Sequence, residues 1–157
     1  MNRKIIVVFI LTLFLDQISK NIVQAFLKIG EGLVVIKNFF NITYINNYGA
    51  AWSLLNNKST LLIIMSIIFA IIIYRFIYLF EQNKRNNIAF GLLLGGIIGN
   101  LIDRWLFGYV RDFLDFKIFS YHYPVFNIAD IAVVVGALLL IIAIIKGEDK
   151  LGKDSSK

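Results

Sequence analysis

The chain has 157 residues, too short for more than one ordinary domain, and 59% of them are hydrophobic against 17% charged. With a mean hydropathy of +0.76, that profile excludes a typical soluble domain and points to the membrane. Cysteine is absent and His122 is the single histidine, which speaks against disulfides, a thiol nucleophile and a zinc cluster. The net charge of +6 gathers at the ends of apolar runs with no basic stripe among aromatics, so no nucleic acid is expected as a partner.

A bilayer-spanning helix takes about 20 apolar residues, and four stretches qualify. The first, residues 5–27, follows "MNRK" and copies the charged and apolar regions of a secretory signal peptide. It runs on into "DQISKNIVQAFL" instead of a small-residue cleavage site, which predicts an uncleaved helix. Asp16 and Lys20 lie four apart on one face of it, the acid N-terminal to the base. A charge within a bilayer costs at least about 2.5 kcal/mol and turns to the bundle interior. The pair reads either as an ion pair locking this helix to its neighbours or as part of a site.

Residues 30–57, "GEGLVVIKNFFNITYINNYGAAWSLLNN", are rich in β-branched and aromatic side chains and bounded by Gly and Asn. They predict short strands outside the membrane core. The second span, 60–80, is the most uniformly apolar. In the third, 88–105, Gly91, Gly95 and Gly99 form a row at four-residue spacing that allows close helix approach, and Asp103 continues it. Asn100, Asp103 and Arg104 share a face, so the cluster points where the glycines point. These groups either satisfy one another and the nearby backbone or touch a substrate.

The connection "LFGYVRDFLDFKIFSYHYP", residues 106–124, reads as a loop returning to the same membrane face. It carries Asp112 and Asp115, either of which could approach Asp130. Pro124 suits the start of the fourth span, 125–145. There Asn127 and Asp130 lie three apart on one face. An acid in the first turn complements the helix dipole, with Asn127 near the N-cap. Fifteen uncharged residues follow, however, at a depth where a lone carboxylate favours its neutral form, so a partner is called for. The polar tail, 146–157, is expected to fray.

An even number of spans puts both termini on one side. Lysine and arginine number eight in the N-terminus, the 81–87 link and the tail, against Lys28, Lys37, Lys58, Arg111 and Lys117 in the two larger loops. The bias predicts a cytoplasmic N-terminus and outward-facing larger loops. No internal repeat or linker divides the chain, so residues 1–157 are expected to form a single domain.

Two carboxylates in a water-poor site share a proton, and such a pair activates water with one member as base and the other as acid. The residues thus fit an intramembrane aspartyl hydrolase. They also fit a proton-coupled membrane transporter relaying protons through Asp103 and Asp130, or a membrane protein whose polar groups only pack. Four helices without an inverted repeat speak against the transporter.

The segments "DQISK", "NYGAAW", "GGIIGNLIDR", "VRDFLDF" and "PVFNIAD", in this order across residues 5–145, resemble the lipoprotein signal peptidases, the type II signal peptidases of bacteria. The resemblance implies an all-α membrane protein, four transmembrane helices with a small extracytoplasmic β-cradle. It implies residence in the bacterial plasma membrane, with both termini cytoplasmic and the active site toward the outer face. The implied activity is that of an aspartic endopeptidase removing the signal peptide of a prolipoprotein just before its diacylglyceryl-modified cysteine. The catalytic pair implied is Asp112 and Asp130, and not Asp115. Asp16, Lys20, Asn47, Asn100, Asp103, Arg104, Asn127 and Ala129 match positions that shape the site or hold the substrate. Gly49 and Ala50 leave the backbone open to a peptide. Diacylglyceryl-modified prolipoproteins and membrane lipids are the partners expected, with a monomer, no cofactor and no metal.

Overall fold

The computed structural model describes residues 1–49, 58–119 and 121–149. In chain order the elements are α1 (Arg3–Phe26), β1 (Gly32–Ile36), β2 (Phe40–Asn47), α2 (Ser59–Phe76), a single 3-10 turn (Ile77–Leu79), α3 (Lys84–Phe107), β3 (Val110–Ile118), β4 (Tyr121–His122) and α4 (Ile128–Ile145). The four helices are long and apolar enough to cross a membrane. Their outer flanks expose large apolar side chains such as Phe14, Ile64, Phe69, Val134 and Ile141, the surface that lipid tails cover without cost.

Helix α3 is the centre of the bundle, packed against α1, α2 and α4. Its glycine row makes this possible. Gly91, Gly95 and Gly99 face α1, so that a Cβ on Gly99 would stand 2.6 Å from an Asp16 carboxylate oxygen. On another side Gly96 faces Ala129 and Val133 of α4, and Gly136 of α4 faces Leu93 and Ala89, where a Cβ on Gly136 would lie 2.8 Å from Leu93.

One end of the bundle is closed by Ile5, Ile77, Phe80, Phe90 and Ala143. There Glu148 accepts from Asn83 at 2.6 Å and Asn86 at 3.1 Å and pairs with Arg85. Residues 146–149 are therefore held against the start of α3, where fraying was expected. Residues 150–157 lie outside the described part of the chain.

The opposite end carries an antiparallel sheet in the order β1-β2-β3-β4. The expected strands of the 30–57 segment are β1 and β2. The 106–124 connection is not the loop that its sequence suggests, because β3 is the inner strand between β2 and β4. Alternation is weak there, with Val110, Arg111, Asp112 and Phe113 all buried, as in a strand covered on both faces. Gly108 takes φ +82 as the left-handed C-cap of α3, a conformation that glycine adopts freely. It turns the chain directly from α3 into β3.

The start of α4 also differs from expectation. Phe126 donates to Leu114 O at 3.1 Å and accepts from Leu114 N at 2.8 Å, so the residues after Pro124 run extended beside β3. The helix begins at Ile128 with Asn127 as N-cap, and Pro124 belongs to the extended approach. Backbone pairing with β3 won over an earlier helix start, and it sets Asn127 beside Asp112.

Candidate active site

Asp112 lies on β3 opposite Ile45 of β2 and is 1% exposed. Its two carboxylate oxygens accept from Asn47 Nδ2 at 2.9 Å and Asn127 Nδ2 at 2.6 Å. Asp130 sits in the first turn of α4, partly accessible. It accepts from Asn100 Nδ2 at 2.8 Å and from the Asn127 backbone N–H at 3.1 Å. Asn127 in turn accepts the Asp130 backbone N–H at 3.0 Å. This reciprocal capping box satisfies two groups that a helix start leaves open. One asparagine therefore grips both carboxylates, its backbone N–H on that of Asp130 and its amide nitrogen on that of Asp112.

Burial, and after it the charge of Asp130, push the Asp112 carboxyl up to about 7, against the downward pull of the Asn47 and Asn127 hydrogen bonds. A carboxyl so placed carries a proton in a pH range where an ordinary aspartate has none.

Behind this pair lies a buried ionic layer. Lys20 Nζ contacts Asp16 at 2.8 Å, Asn100 Oδ1 at 2.9 Å and Asp103 at 3.4 Å, and all three charged side chains are fully buried. Asp16 also accepts the Ala129 backbone N–H at 3.0 Å. A side chain of α1 thus caps the positive end of α4 from outside, a favourable place for an anion. The α1 ion pair both locks the helices and orders the chain next to Asp130. Asn100 accepts from Lys20 and Asn127 while donating to Asp130, so the layer reaches the pair through one amide.

Asn47 and Arg104 hold Gly49, just past the end of β2. Gly49 N–H donates to Asn47 Oδ1 at 2.9 Å, and Arg104 donates to Gly49 O at 3.2 Å. The structure thus brings together Asp16, Lys20, Asn47, Gly49, Asn100, Asp103, Arg104, Asp112, Asn127, Ala129 and Asp130. Ala50 lies outside the described residues.

Asp115, which the sequence left able to approach Asp130, is placed elsewhere. It is a buried strand residue that accepts from Thr43 at 2.8 Å and Asn41 at 3.3 Å and lies 3.4 Å from His122. Three residues along a strand turn a side chain to the other face, which separates it from Asp112. Arg111, by sequence only a loop charge, is 1% exposed and meets Asp103, Gln17, Asn21 and Gln24. The available signal was on α1: positions 17, 20, 21 and 24 form a polar stripe at helical spacing in an apolar run.

Bilayer-length helices around a buried ionic layer, with two carboxylates held by one asparagine at the sheet end of the bundle, define a multi-pass membrane protein. The chain matches the Signal peptidase (SPase) II family model over residues 8–146, and it belongs to that peptidase family. It is 42% identical over 142 residues to the lipoprotein signal peptidases of Staphylococcus aureus strains JH9 and Newman, covering 90% of this chain and 87% of each relative. A bacterial membrane enzyme solved by the in meso method at 2.3 Å superposes with a TM-score of 0.82 at 38% identity, covering 98% of this chain and 92% of that one. Another, solved at 1.9 Å, gives 0.80 at 40% identity over 90% and 92%. Membership of a peptidase family leaves the transporter reading without support.

Proposed function

We propose that the chain removes signal peptides from bacterial prolipoproteins by aspartic catalysis, with Asp112 and Asp130 as the catalytic pair, cleaving before the diacylglyceryl-modified cysteine. The observation that carries this is the shared grip of Asn127 on both carboxylates. Two acids steered by one residue, and electrostatically linked, have the arrangement that lets a pair hold one proton between them.

In the singly protonated pair the ionised carboxylate takes a proton from a water molecule as its oxygen attacks the scissile carbonyl carbon. The protonated partner gives its proton to the carbonyl oxygen. The tetrahedral gem-diol then collapses: the carboxyl that received the water's proton passes it to the departing amine as the C–N bond breaks, and a gem-diol hydroxyl returns its proton to the ionised partner as the C=O re-forms, restoring the singly protonated pair. The pair itself holds and moves every proton, so no metal is assigned. Asn47, Asn100 and Asn127 hold the carboxylates through neutral hydrogen bonds and leave the pair free to titrate. Arg104 and Asn47 hold Gly49 by its carbonyl and N–H, and in this reading the substrate peptide rests beside that backbone. The acyl chains stay in the bilayer and orient the scissile bond, which supplies much of the advantage of a positioned reactant.

Orientation belongs to the same reading. The N-terminus, the α2–α3 link and the end of α4 share one end of the bundle. We assign that end to the cytoplasm on the lysine and arginine bias, and the sheet and pair to the outer face of the plasma membrane. In the same reading the protein acts as a single domain and a monomer. Incubating the purified protein in lipid with a diacylglyceryl prolipoprotein should release the signal peptide. Intact precursor after long incubation with wild-type protein would overturn the proposal.

A further inference from the structure

The site rests on a buried cation that the cleavage chemistry does not require. Arg111 immediately precedes Asp112, and all five of its side-chain N–H groups are used. Nε donates to Asp103 Oδ2 at 3.2 Å and Nη2 to Asp103 Oδ1 at 2.8 Å. Nη2 also donates to Gln17 at 3.1 Å, while Nη1 donates to Asn21 at 2.6 Å and Gln24 at 2.8 Å. The Arg111 backbone N–H adds a bond to Asp103 Oδ2 at 2.9 Å, and the guanidinium lies over the Phe107 ring, 4.7 Å from its centroid.

Taking such a charge out of water is costly, and a join between helix and strand can be made as well with apolar side chains. The use of a charge therefore calls for a role beyond adhesion. Among the described residues, Asp103 forms ion pairs with Arg111 and Lys20. The lysine is 2.8 Å from Asp16 but 3.4 Å from Asp103. It can lean away from Asp103 because Arg111 already satisfies that carboxylate. Leaning away, it orients Asn100, which donates to Asp130.

We propose that Arg111 is a positioning residue for the cleavage reaction: its fork on Asp103 and its grip on α1 fix the backbone that presents Asp112, and by satisfying Asp103 it lets Lys20 orient Asn100 toward Asp130. One side chain thereby sets both members of the pair. The inference rests on the reading of Asp112 and Asp130 as catalytic.

The groups facing Arg111 are Asp103 and Phe107 from α3, and Gln17, Asn21 and Gln24 from α1, with Lys20 beyond them. From the sheet side Tyr44 is within its electrostatic reach. Arg111→Met deletes the charge and the fork. Arg111→Lys keeps the charge but replaces a planar five-donor fork with one point donor.

The test measures kcat, KM and the pH–rate profile of folded, monodisperse wild type, R111M, R111K and D112N on a diacylglyceryl prolipoprotein in lipid. For R111M, kcat should fall on the order of 10²-fold with KM near wild type, the loss expected when a reacting group is misplaced by about an ångström. Its profile should move to higher pH, because removing a cation favours the protonated carboxyls. R111K should restore the wild-type profile while recovering only part of kcat. A purely adhesive role would lower the melting temperature and leave kcat and the profile of the folded enzyme unchanged, and that result overturns the inference. If R111M does not fold, R111K decides: wild-type kcat in that variant overturns it equally. D112N separates the two layers. An active D112N removes the catalytic reading itself, whereas a dead D112N beside a fully active R111M removes only the role of Arg111.

Discussion

Gly96 of α3 and Ala129 of α4 approach so closely that a Cβ on Gly96 would stand 2.4 Å from the Ala129 carbonyl oxygen. Ala129 precedes Asp130, and its N–H is held by Asp16, so this contact sets the height of α4 next to the assigned site. In Gly96→Ala the obstacle is backbone and cannot rotate away. Overpacking of this kind costs about 1 to 3 kcal/mol. The variant should melt at lower temperature in detergent, and its folded fraction should cleave more slowly than wild type. Equal melting temperature and rate would mean that the two helices separate without consequence.

Asp112→Asn and Asp130→Asn keep size and most hydrogen bonding while deleting ionisation. Each alone should reduce cleavage by about 10² to 10⁴-fold, the range that positioned proton transfer supplies, with normal accumulation in the membrane. The double variant should be little worse than either, since the two act as a unit. Asp115→Asn is the internal comparison. Its partners are Thr43, Asn41 and His122, so it should lose stability while each folded molecule keeps most of its activity. Rate measurements normalised to folded protein check all four.

Asp112 titrates at about 7 in the folded chain against 3.8 ordinarily, which makes two statements about pH. For activity, only the singly protonated pair works, so the rate should pass through a maximum and fall as pH rises through about 7. For stability, the folded state holds a proton that the unfolded state releases. The Asp112 contribution is fully present below the unfolded value and lost as pH rises through the folded one. Asp112→Asn should therefore raise the melting temperature relative to wild type at about pH 8, and the difference should shrink toward about pH 4. A variant less stable than wild type at the alkaline end contradicts the raised value.

Asp103→Asn removes a carboxylate that takes ion pairs from Lys20 and Arg111. Leaving buried cations short of a partner costs on the order of 3 to 5 kcal/mol. Both yield and rate should drop, because the same network orients Asn100. Thermal unfolding and specific activity, measured together, separate the two losses.

Reporters fused after Lys157 and within the 81–87 link should lie in the cytoplasm, and one inserted near Lys58 should lie outside. Termini found on opposite sides would contradict the assigned orientation.

Much of this architecture was legible in the chain. Bilayer-length apolar runs marked the four helices, and the Gly91, Gly95 and Gly99 row marked the face of α3 that meets α1, because small side chains at one turn's spacing leave a groove. Asp16 with Lys20, and Asn127 with Asp130, could be paired because helical periodicity places neighbours at three and four residues. The sequence of β3 reads as a loop, since its alternation is masked where both faces are covered. Arg111 was missed because its partners are distant in sequence.

Local periodicity and the cost of bare charge in lipid are properties of the sequence by itself, and they determined that this protein has four membrane-length helices with acids turned inward. Which acids meet was decided by tertiary structure. The pairing of Phe126 with Leu114 sets Asn127 beside Asp112, and the register of β3 turns Asp115 away. The Asp103 fork, with Gln17, Asn21 and Gln24, draws Arg111 inward. Each of these depends on strand register and on partners from separate elements. A buried charge is tolerated only when such partners converge on it, and no single stretch of chain contains that convergence.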